Sequence, residues 1–155
     1  MVFKSLLFTT IILCLVYLLL TSIINNPTGG YLNSVQLKDL GFTGYQQINP
    51  NLEIYPLKRY SENIIHQSAF KLYQTRFEEL VFILNYDKTG FLLETVDRYN
   101  SSAGKLKTVN IKDPNFKTII SQNLKLLERL RDRYHFDSPY WGKIEQAVDV
   151  TKSLI

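Results

Sequence analysis

The chain has 155 residues, 45% of them hydrophobic and 21% charged, with a formal net charge of +4 and one cysteine. A single cysteine excludes a disulfide framework and a cysteine-based zinc site, and a net charge of +4 falls short of a nucleic-acid-binding surface. Apolar and charged fractions of this size are those of an ordinary globular protein with room for one core.

The first feature along the chain is the uncharged run from Ser5 to Ile24, in which thirteen of twenty residues are Leu, Ile, Val or Phe. Twenty helical residues span roughly 30 Å, the thickness of a bilayer's hydrocarbon core. The run therefore predicts a transmembrane signal-anchor helix over 5–24 behind a short cytoplasmic N-terminus, 1–4. It is long for a signal peptide, and no Ala-x-Ala follows, so retention rather than cleavage is expected. Lys4 precedes the run and the next basic residue is Lys38, which places the N-terminus in the cytoplasm and the remainder outside it, a type II topology.

Asn25 to Gly30 is a cluster of helix breakers. Residues 25–60 read as a linker and an irregular segment wrapping the domain, and 61–155 as the extracytoplasmic domain itself. Within it, Ser61 reads as an N-cap. Ile65, Ala69, Leu72, Tyr73, Phe77 and Leu80 then share one helical face, predicting a helix over 62–79. Next come the apolar run Leu80–Leu84, the turn residues Asp87-Lys88-Thr89-Gly90, and a second run, Phe91–Val96. This order predicts a hairpin in which Gly90 takes positive φ, with a third strand over 106–111.

Asp113-Pro114 and Ser138-Pro139 each place a capping residue before a proline, the signature of a helix start. Ile120, Leu124, Leu127 and Leu130 stripe the first of these helices; Ile144, Ala147 and Val148 stripe the second. The few residues between them predict a helical hairpin. The fold class expected is thus α+β: a three-stranded antiparallel meander, one helix before it and the hairpin after it, on a single membrane anchor.

No catalytic residue, cofactor-binding residue or metal ligand is assigned. His66 and His135 are far apart and belong to no ligand spacing, and no phosphate loop or nucleophile elbow occurs. The candidate interaction surface is Lys125, Arg129 and Arg133, a basic face on the helix after Pro114, with Tyr140 and Trp141 beside the next helix start. The function expected is a non-enzymatic, membrane-anchored interaction or assembly subunit of a membrane or envelope complex. Its partners would be the lipid bilayer and a protein of that complex, and no nucleic acid. A viral-envelope or secreted protein that binds lipid or glycan is the alternative, followed by a membrane-tethered enzyme.

Overall fold

The computed structural model describes Ile12, Leu13, Val16, Tyr17 and residues 29–65, 67–109, 111 and 113–155, with only the backbone of Asn63. Six α-helices lie among the described residues from Gly29 onward: α1 (Ser34–Asp39), α2 (Tyr55–Ile64), α3 (Ala69–Asn85), α4 (Leu92–Leu106), α5 (Phe116–Arg131) and α6 (Pro139–Lys152). The main contacts run from α3 to α4, from α4 to α6, from α6 to α5 and back to α3. This four-helix ring encloses the core.

Helix α3 is the centre of the arrangement. Ser68 caps it, its hydroxyl accepting from the Lys71 N–H at 3.2 Å. From Leu80 to Leu84 every side chain is buried, which requires neighbours on all sides of the helix. Leu92, Val96, Tyr99 and Ala103 of α4, Ile120 and Leu127 of α5, and Ile144 and Val148 of α6 join it in one buried cluster. Full burial of one such aliphatic side chain contributes about 1.5–3 kcal/mol.

The expected α+β fold is overturned here, since no strand occurs among the described residues. Leu80–Leu84, taken for the first strand, is the C-terminal half of α3. A short all-apolar run fits a strand buried on two faces and a helix buried on all sides equally well. Phe91–Val96, taken for the second, is a 3-10 turn (Thr89–Phe91) followed by the start of α4, where Leu92 and Val96 face inward at helical spacing. The third expected strand is the end of α4 and the turn after it. The turn chemistry at 87–90 closes a helix instead of a hairpin. Asp87, at φ 55°, takes the left-handed position and the Lys88 N–H returns to the Ile83 carbonyl at 2.9 Å. Gly90 takes no positive φ. The helix predicted over 62–79 is divided between α2 and α3, with Ser61 inside α2 and Ser68 as the cap.

The membrane-spanning reading is corrected as well. Apart from four residues, the segment 5–24 lies outside the described residues, and among the described residues no helix is long and apolar enough to cross a membrane. The longest, α3, has 17 residues and carries Lys71, Arg76, Glu78 and Glu79. The single-pass, signal-anchor and type II description, and the extracytoplasmic localisation resting on it, are therefore withdrawn.

Residues 29–54 wrap the ring. The buried amide of Asn85, the last residue of α3, accepts from the Leu32 N–H at 2.7 Å and donates to the Leu32 carbonyl at 3.1 Å. It thus pairs with the passing chain as a neighbouring strand would. Gly30 is required there, because a Cβ would stand 2.4 Å from the Asn85 amide nitrogen. A capping box between Asn33 and Gln36 opens α1. At its far end Gly41, at φ 81°, lets the Phe42 N–H reach the Leu37 carbonyl, and the two side chains bury together.

Candidate interaction surface

Helix α2 is amphipathic, with Lys58, Arg59 and Glu62 on one side and Leu57, Tyr60 and Ile64 on the other. Its polar side faces the protein. Lys58 Nζ donates to Glu79 Oε1 at 2.6 Å and to the Ile48 carbonyl at 2.9 Å. Glu62 pairs with Arg76 and, at 3.1 Å, with Arg59. Arg76 Nη1 reaches both oxygens of Glu79 at 2.7 Å, and the Tyr55 hydroxyl donates to Glu79 Oε2 at 2.8 Å.

This cluster is deeply buried, with Arg76 2% exposed and Glu79 0%. Two enclosed cations, Lys58 and Arg76, balance two carboxylates, Glu62 and Glu79, while Arg59 reaches Glu62 from the rim with a third of its side chain exposed. Burial is the largest single influence and works against the Arg76 charge, but Glu79, Tyr55 and Glu62 together outweigh it and raise the guanidinium pKa. Burial, with the Glu79 charge second, holds the Tyr55 phenol well above its ordinary value. The arrangement is a mutually neutralised clamp, and it fastens α2 to α3 by charge.

The apolar side of α2 faces away from the protein. Leu57 is 71% exposed, Tyr60 67% and Ile64 60%, and Ile65 just past the helix is 61%. Positions i, i+3 and i+7 form one stripe, the spacing by which a helix presents anchors to a partner. An isolated exposed Leu is unremarked on any surface; four adjacent large apolar side chains form a patch of the kind that marks a binding face.

The residues expected to form a basic face separate. Lys125 and Arg129 are exposed on α5. Arg133 is turned inward: it donates to the Leu84 carbonyl at 3.0 Å, pairs with Asp87 at 3.3 Å, and lies over the rings of Tyr31 and Tyr134. Tyr140 packs edge-on against Tyr134, and Trp141 is half-buried under the guanidinium of Arg131, 5.2 Å from its ring centre. Lys125 and Arg129 thus stay on the surface, while the other three residues make contacts within the protein.

Among the described residues no three His, Cys, Asp or Glu side chains come together as metal ligands. His135 is exposed and stands 3.6 Å from Asp137; His66 lies outside the described residues. A groove of about 550 Å³ runs between α1 and the Tyr45–Tyr86 pair, lined by Leu32, Leu37 and Phe42 and open along its length. The chain matches no family model, no curated protein and no solved structure.

Leu57, Tyr60 and Ile64 escaped the sequence reading, which placed Ile65 on the inward face of the helix expected over 62–79, whereas it is exposed. The signal was present, since Pro56 opens a helix and the apolar residues recur at helical spacing. The ordinary assumption that such a stripe faces inward hides it, because nothing local reveals that Arg76 and Glu79 will capture the charged side.

Proposed function

We propose that this protein is a non-enzymatic interaction or assembly module whose recognition element is helix α2, and that its partner is a protein. One observation carries the reading: α2 spends Lys58 and Glu62 on the buried clamp, ties Arg59 to Glu62 at its rim, and turns Leu57, Tyr60 and Ile64 to the outside. Exposing a large apolar side chain forgoes the stabilisation that burial supplies, and this helix forgoes it at several adjacent positions. A partner that covers the stripe recovers it. Nucleic acid is a poor candidate because it needs free cations at the contact, and Lys58 and Arg59 are committed to carboxylates.

A photo-crosslinking amino acid placed at Leu57 or Tyr60, in the full chain produced in its own cells, tests the proposal. Discrete adducts are expected from both positions and none from Lys125. Adducts from Lys125 alone, with a folded protein, would move the contact to the exposed basic side of α5. No adduct at any of the three would overturn the interaction reading.

A further inference from the structure

We infer that the partner of the α2 stripe is a second copy of the same chain, joined about a two-fold axis through the stripe. The inference rests on α2 being the recognition element and adds the identity of its occupant. An antiparallel pairing centred between Tyr60 and Ser61 sets Leu57 against Ile64 of the other copy and Pro56 against Ile65. At the axis it sets each Tyr60 ring over the small Ser61 opposite. Every large apolar residue of the stripe then meets an apolar or small residue, the self-complementarity that an isologous interface requires.

The polar groups allow it. The Ser61 hydroxyl already donates to the Lys58 carbonyl at 2.7 Å, so covering it strands no donor. Lys58, Arg59 and Glu62 are all held in ion pairs within the protein, so the two-fold brings no loose like charges together. The same commitment of Lys58 and Arg59 argues against a lipid surface, which a surface-lying helix meets with free cations flanking its apolar face.

The area sets the strength. Scaling roughly 100 Å² per aliphatic and roughly 200 Å² per aromatic side chain by the exposures gives about 330 Å² on each copy. A pair covering about 650 Å² lies at the low end of weak, transient contacts. The dimer is therefore one that forms with rising concentration and is best trapped covalently.

Cysteine cross-linking of the full chain provides that trap. In a Cys14→Ser background, which removes the chain's one native cysteine, Ser61→Cys should give an oxidised dimer under mild oxidant. Mixing a Leu57→Cys chain with an Ile64→Cys chain should give more disulfide dimer than either alone, the mark of an antiparallel pair. Lys125→Cys reports the background of random collision. Adding Leu57→Asp to Ser61→Cys should bring cross-linking down to that background, with the helical circular dichroism unchanged. Cross-linking of Ser61→Cys no stronger than that of Lys125→Cys, in a folded protein, would overturn the second copy. Photo-adducts from Tyr60 to a different protein in that case would leave α2 as the recognition element with another occupant; the absence of both would remove the reading itself.

Discussion

The hydroxyls of Tyr73 and Tyr99 stand 2.9 Å apart in the centre of the helical ring, both side chains fully buried. Proton counting gives the chain of bonds one direction. Thr151 donates to the Ala147 carbonyl at 2.6 Å, so it accepts from Tyr99 at 2.6 Å, which accepts from Tyr73, which accepts from the Asn123 amide at 3.3 Å. One polar line thus joins α3, α4, α5 and α6 inside an otherwise apolar core, and it fixes which faces of the four helices meet.

Tyr99→Phe breaks that line at its middle and leaves the Tyr73 proton without an acceptor. A stranded buried donor costs about 1–3 kcal/mol. Urea unfolding should show the free energy of unfolding falling by that amount, read as a lower midpoint at unchanged slope. Thr151→Val should cost a similar amount, and the double variant less than the sum of the two, since both interrupt one network. Strict additivity would show that the two hydroxyls act independently.

Removing Glu79 leaves Arg76 and Lys58 with only Glu62 to balance them in a site closed to water. Glu79→Ala should therefore cost about 3–5 kcal/mol. Glu94, paired with Arg98 but 77% exposed in its side chain, supplies the comparison: Glu94→Gln should cost about 0–1 kcal/mol. Thermal or urea unfolding of the two variants decides it. Equal effects would contradict the view that the clamp is a buried unit.

Arg133 and Arg129 should part in the same way. Arg133 satisfies the Leu84 carbonyl at the end of α3 and neutralises Asp87, whereas Arg129 is exposed on α5. Arg133→Gln should lower stability by about 1–3 kcal/mol, the cost of a lost charge-assisted bond, and Arg129→Gln by less than about 0.5 kcal/mol. Indistinguishable melting curves would mean that the Arg133 contacts contribute nothing net.

Alkali should unfold the protein. Burial is the first cause that raises the phenols of Tyr45, Tyr55, Tyr73 and Tyr99 above the ordinary 10.0, and it pushes Tyr134, beside Asp87, up to about 12. A folded-state pKa above the unfolded one gives stability that is complete below pH 10 and is lost as pH rises towards the folded value. Each such phenol withdraws up to about 1.4 kcal/mol per pH unit in that window. Urea midpoints measured from pH 9 to 11.5 should fall with increasing steepness; a flat profile across that range would show that these phenols ionise in the folded state as they do in the unfolded one.

Some of this was written locally. Ser138 before Pro139 starts α6 because a serine oxygen accepts a first-turn N–H, and proline has none to lose. The stripe containing Ile120, Leu127 and Leu130 faces the core of α5 because one helical face can be covered only by neighbouring helices. The single cysteine excluded a disulfide scaffold outright. Other features were open until the chain closed on itself. Leu80–Leu84 suits a strand or a buried helix equally, and only α4, α5 and α6 arriving on several sides decide for the helix. Asp87 and Gly90 compete for the left-handed position, and the Lys88–Ile83 bond awards it to Asp87. The direction of α2 was the furthest from reach. Its sequence specifies two faces and leaves open which one turns inward. That choice belongs to Arg76 and Glu79, residues of another helix, whose buried charges need Lys58 and Glu62 more than the core needs Leu57 and Tyr60.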